Sequence, residues 1–196
     1  MKFSFLRRPL LLALLTGLAV AGCGGKAEFE VKGTVTGLEY AGLVLMNNGG
    51  NDLQVPAKAQ AFAFPGTIEY GTPYKVQVKT NPLHSTCTES NFEDSAGRQA
   101  SINVVITCTL INGSIGGTVT GLTAAGLELN NGSEERLVVG SGATSFVFAR
   151  KIPFGTSYSV TILKQPTGLN CTLANPAAEM GDLDVTNVNV KCVPAS

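Results

Sequence analysis

Five cysteines and a single histidine are the side chains of this 196-residue sequence best suited to covalent or metal chemistry. Four cysteines form two pairs, Cys87 with Cys108 and Cys171 with Cys192, with the same spacing in each. Cys23 stands apart, at the end of an apolar run. An even number of thiols in the body of the chain and a lone one near its start predicts a disulfide framework plus a separate attachment site. Each bridge would close a loop of about 22 residues, worth roughly 3 kcal/mol in the chain-entropy account. The other readings of these four cysteines are free buried thiols or a metal site built from all of them. Metal sites favour close C-x-x-C pairs, and the sequence has none.

His84 lies three residues before Cys87, and the matching place near Cys171 holds Gly168. There is no second histidine with which to build a zinc site. A catalytic histidine would need a serine such as Ser85 or Ser90, yet no serine lies in a G-x-S-x-G turn. A phosphate-binding glycine loop is also absent. The expectation is a loop histidine, with no catalytic residue, no cofactor and no enzyme activity.

Two clusters offer oxygen ligands for calcium: Asn47 to Asp52, and Glu89 with Glu93 and Asp94. Neither follows the D-x-D-x-D-G order of a calcium loop, and asparagine–glycine runs are what tight turns require. No metal ligand is expected. The sequons at Asn112, Asn131 and Asn170 are read as chance matches.

The cysteine pairs sit in a module written twice. Gly33-Thr34-Val35-Thr36-Gly37-Leu38 returns as Gly117-Thr118-Val119-Thr120-Gly121-Leu122, an offset of 84 residues (33 to 117). Phe62, Phe64, Gly71, Tyr74, Val76, Pro82 and Asn103 all keep that offset, as do the cysteines. Two units of roughly 80 residues are implied, each near the small end for an independent core, so a staple is expected. Within each unit apolar residues alternate with polar ones, as in Phe29, Val31, Gly33 and Val35, or Ile102, Val104, Ile106 and Cys108. That period of two reads as half-buried strands, with Cys108 and Cys192 on the inward parity. Asn47-Asn48-Gly49 between Leu45 and Leu53 marks a hairpin. About seven short strands per unit, with no sustained helical periodicity, predict an all-β fold of two tandem β-sandwiches. The boundaries are 29–110 and 113–195, and the short Ile111-Asn112-Gly113 link predicts a stiff end-to-end pair.

The start of the chain has its own logic. Lys2, Arg7 and Arg8 flank the beginning of an apolar run from Pro9 to Val20, too short for a comfortable membrane span. The run ends in Leu18-Ala19-Val20-Ala21-Gly22-Cys23. This resembles the lipobox of bacterial lipoproteins. The resemblance implies a signal peptide over 1–22, cleavage before Cys23, acylation of that cysteine and a lipidated tether over 23–28. Several acyl chains hold a protein on a membrane without spanning it. Gly24 stands where an aspartate favours inner-membrane retention in well-studied Gram-negative lipoproteins, so the outer membrane is the expected location.

Two further resemblances concern the modules. Gly71-Thr72-Pro73-Tyr74-Lys75-Val76 and Gly155-Thr156-Ser157-Tyr158-Ser159-Val160 are similar to the G-T-x-Y-x-V strand of fibronectin type III domains. In such sandwiches a tyrosine at a strand corner bonds back to upstream backbone, which is the role implied for Tyr74 and Tyr158. More broadly, the order G-T-V-x-G-L, L-x-N-N-G, F-x-F, G-T-x-Y-x-V, Q-P, C-T-x-x-N, N-V-x-V and C resembles an immunoglobulin-like extracytoplasmic repeat of bacterial surface proteins. Its first copy departs at Asn81-Pro82, where the second has Gln165-Pro166.

Setting aside the three basic residues of the leader leaves 11 basic against 14 acidic side chains, which gives no electrostatic reason to bind nucleic acid. The expected partner is the membrane, through lipid on Cys23, with any protein or glycan ligand unspecified. The expected function is a non-enzymatic envelope or surface module: a spacer, structural component or adhesin-like binder. The alternative is carbohydrate recognition by loops at a sandwich end, disfavoured by the absence of tryptophan.

Overall fold

The structure is a computed structural model that describes residues 25–132 and 135–195. The leader and Cys23, with the lipidation expected there, lie outside the described residues. Among the described residues there is no helix.

Alternating sequence becomes alternating burial. Strand β1 (Glu28–Thr36) buries Val31, Gly33 and Val35 and exposes their neighbours. The first module continues with β2 (Leu43–Asn47), β3 (Gly50–Val55), β4 (Ala61–Glu69), β5 (Pro73–Thr80), β6 (Ser85–Ser90), β7 (Glu93–Ser95) and β8 (Val104–Leu110). They form two four-stranded sheets, ordered β4-β1-β8-β6 and β3-β2-β5-β7. Every pairing is antiparallel except β1 with β8. The turn between β2 and β3 is Asn48-Gly49, both at positive φ, as a two-residue hairpin demands.

The second module comprises β9 (Asn112–Gly113), β10 (Gly116–Thr120), β11 (Leu127–Asn131), β12 (Glu135–Val139), β13 (Ser145–Val147) and β14 (Ile152–Pro153). It closes with β15 (Ser157–Lys164), β16 (Leu169–Ala174), β17 (Ala177–Glu179) and β18 (Asn189–Pro194). Its sheets run β13-β10-β18-β16 and β12-β11-β15-β17, the same order shifted along the chain. Each module is an immunoglobulin-like β-sandwich. Each also has its own apolar cluster, centred on Leu45, Val76, Val104 and Ile106 in the first and on Leu129, Val160, Val188 and Val190 in the second. The paired phenylalanines meet edge to face in both cores, with centroids 5.9 Å apart for Phe62 and Phe64 and 5.8 Å for Phe146 and Phe148.

The repeated glycine motif has a steric cause. A Cβ on Gly33 would lie 1.9 Å from the Val104 carbonyl oxygen, and one on Gly117 would lie 1.8 Å from that of Val188. Only glycine lets β1 press this closely against β8, and β10 against the segment that enters β18.

The structure departs from the sequence expectation in three places. Each module has an additional short edge strand, β7 or β17, carrying Glu93-Asp94-Ser95 or Ala177-Ala178-Glu179. An edge strand need not bury a face, so it shows no apolar alternation. The link is also shorter than expected: Asn112 and Gly113 already pair with Pro153 and Ile152, leaving Ile111 alone between sheets. Finally, Tyr74 and Tyr158 are core residues, 8% and 7% exposed, but no hydrogen bond joins either hydroxyl to upstream backbone among the described residues. The corner bond implied by the fibronectin resemblance is not formed.

Candidate functional site

The predicted cysteine partners face each other across neighbouring strands. Cys87 on β6 pairs in register with Cys108 on β8, and Cys171 on β16 with Cys192 on β18. Both pairs are disulfide-bonded, with Cα atoms 3.9 Å apart, and all four residues are buried in their cores. Asn81 and Gln165, where the two copies differ in sequence, prove to do the same work. The Asn81 Oδ1 accepts the Cys87 N–H at 2.8 Å, and the Gln165 Oε1 accepts the Cys171 N–H at 2.8 Å. The longer glutamine also donates to the Cys171 carbonyl at 3.0 Å.

The suspected calcium ligands are engaged elsewhere. Asn47 is buried and accepts the Lys75 N–H at 3.1 Å, while Asp52 pairs with Lys79. Glu93 pairs with Lys75 at 2.8 Å and Asp94 with Arg98 at 3.4 Å. Among the described residues no group of three or more histidine, cysteine, aspartate or glutamate side chains could hold a metal ion. Ser85 is buried with its Oγ lacking any hydrogen-bond partner, so it makes no dyad with the adjacent His84.

His84 itself is not an idle loop residue, and here sequence reading missed its role. Its imidazole lies flat on the Phe154 ring of the second module, with centroids 3.7 Å apart and planes 7° from parallel. Tyr40 closes the cluster edge-on, 5.0 Å from His84 and 5.8 Å from Phe154. The His84 Nδ1 lies 2.9 Å from Asp182 Oδ1 and 3.0 Å from Oδ2. A carboxylate can only accept, so Nδ1 is the nitrogen that carries the proton. Ile111 is tied to both modules: its N–H donates to the His84 carbonyl at 2.9 Å, and its own carbonyl accepts the Phe154 N–H at 2.8 Å. The one sequence signal for this site was asymmetry, since histidine and tyrosine stand where the second module has Gly168 and Ala124. The arrangement can fix the angle between two sandwiches.

No protein-family model matches the sequence, and no curated protein matches it. Among solved structures, the TIE protein of Bacillus anthracis is similar with a TM-score of 0.49 and 17% identity. The match covers 85% of this chain, which spans 34% of that one. A single B repeat unit of the collagen-binding surface protein of Staphylococcus aureus is similar at a TM-score of 0.31 and 13% identity, over 87% of this chain and 100% of that one. The C-terminal fragment of the pilus adhesin SpaC of Lactobacillus rhamnosus GG is similar at 0.35 and 10%, over 88% and 98%. Likeness at this level says nothing about what the present chain binds.

Proposed function

We propose that the chain is a lipid-anchored protein of the bacterial envelope, in which two stapled sandwiches form a stiff, non-enzymatic spacer that holds its second module away from the membrane. The observation that carries the spacer reading is the junction, where Ile111 is hydrogen-bonded to both modules and His84 stacks on Phe154. A free tether between domains would carry neither contact. The lipobox-like run ending at Cys23 supports the anchor, with the outer membrane as its location.

The second module also supports an adhesin-like role. Val138, Val147 and Leu163 are 63%, 59% and 57% exposed, while the matching positions of the first module hold Gln54, Ala63 and Lys79. The distal module is therefore the more apolar at its surface. A carbohydrate platform has less support, because Phe62, Phe64, Tyr74, Phe146, Phe148 and Tyr158 are buried and Tyr70 is the one large aromatic among the well-exposed described residues.

Cell fractionation tests the anchor. The native chain should sediment with membranes and Cys23→Ala should be soluble; a variant that stays bound would sink the anchoring claim. Added protease on intact cells then separates two arms. Digestion places the modules outside, and protection until the outer membrane is opened places them in the periplasm.

A further inference from the structure

The module junction has an unfilled counterpart at the other end of the first module. Phe154 is held by its N–H bonding the Ile111 carbonyl at 2.8 Å. Exactly one repeat earlier, the Tyr70 N–H bonds the Ala27 carbonyl, also at 2.8 Å. The second module covers Phe154 with His84 and Tyr40 of its neighbour. Among the described residues Tyr70 has no such cover, and it is 63% exposed. Its ring lies back over Gly97, where a Cβ would come within 2.2 Å of it, and its centroid is 6.5 Å from that of Phe29.

We propose that this Tyr70 end of the first module seats directly against the headgroup layer of the bilayer. The inference rests on the lipid anchor at Cys23 proposed above. Ala27 is only four residues beyond Cys23, a reach of roughly 14 Å at full extension. Tyr70, whose backbone is bonded to Ala27, is thus held close enough to the anchor to reach the polar interface, and tyrosine, with an apolar body and a polar tip, suits that layer. The anchor also makes the contact intramolecular in effect, so a weak surface suffices. Charge does not drive it: Lys26 pairs with Glu69 at 2.8 Å and Arg98 with Asp94 at 3.4 Å. Seating should therefore be insensitive to anionic lipid. A second copy of the chain is a poorer occupant, because the free end of its second module has Gly168 and Ala124 where the junction uses His84 and Tyr40.

The test exploits the lack of tryptophan. Full-length acylated Tyr70→Trp is placed in phosphatidylcholine vesicles with plain or brominated acyl chains, with and without added phosphatidylglycerol. Val193→Trp, at the far end of the second module, is the reference. The expected result is a blue-shifted emission from position 70 that brominated lipid quenches in both mixtures, with position 193 unaffected. Unquenched emission from position 70 in protein that co-floats with vesicles overturns the seating and leaves the anchor standing. Equal quenching at both positions overturns it as well, since the rod would then lie flat. An emission change that follows protein density and not bromination assigns the surface to a second copy. Failure to co-float, with Cys23→Ala behaving identically, overturns the anchor and the seating together.

Discussion

His84 and Gly168 hold the same backbone position in the two modules, and both are left-handed, with φ of 58° and 72°. For a residue with a Cβ that conformation costs about 1–2 kcal/mol, and for glycine almost nothing. The first module therefore tolerates strain that the second avoids. What offsets it is the stack on Phe154 and the pair with Asp182, contacts that only a side chain at the junction can make.

His84→Gly should then separate the two effects. The first module should unfold at equal or slightly higher denaturant, by up to about 1 kcal/mol, while the modules lose their fixed angle. Tumbling measured by nitrogen relaxation should split into two partly independent bodies. Asp182→Asn, which keeps the stack and leaves a hydrogen-bond acceptor beside Nδ1, should have a smaller effect. A His84→Gly protein that still tumbles as one body would show that Ile111 and the Tyr40–Phe154 contact suffice to set the angle.

Removing one staple should weaken one module. Replacing Cys87 and Cys108 together by alanine should cost the first module roughly 3 kcal/mol, from a bridge spanning 21 residues of sequence. Urea unfolding followed by module-specific probes should leave the second transition in place. Two transitions that shift together would mean the modules unfold as one unit.

Gly33→Ala and Gly117→Ala should each destabilise their own module by about 1–3 kcal/mol, since the new methyl group meets a backbone carbonyl that cannot turn aside. Gly49→Ala, where no atom lies within 4 Å, meets no such obstacle. Its cost comes from positive φ alone and should be smaller. Thermal melting of the three variants checks the order.

Alkaline pH should loosen both cores through their tyrosines. Burial, and secondarily the nearby Asp94 carboxylate, raises the Tyr74 hydroxyl above its ordinary value, while burial alone raises that of Tyr158. The native state thus holds protons that the unfolded chain gives up first. The associated stability is complete below the ordinary tyrosine value of about 10 and is lost as pH rises through the raised native values. Phenolate absorbance should show late steps that disappear in Tyr74→Phe and Tyr158→Phe. Asp94→Asn should move the Tyr74 step partway back, and an unmoved step would remove the carboxylate from the account.

The strand cores were legible before any coordinates. Val31, Val35, Val104, Ile106, Cys108 and Cys192 announce their inward parity through strict alternation, because a strand repeats every two residues. The edge strands β7 and β17 were not legible, since a short strand that fully buries no residue has no pattern to display.

By itself the sequence determined the repeat, the all-β class, the inward-facing cysteines and the lipobox-like run at Cys23. All of these depend on local spacing, which survives in one dimension. Tertiary structure alone decided that Asn81 and Gln165 serve one purpose, that Gly33 must yield to the Val104 carbonyl, and that His84 belongs to the second module as much as to the first. Those relations join residues 6 to 98 positions apart. Their physical basis is a distance in space, which no spacing along the chain encodes.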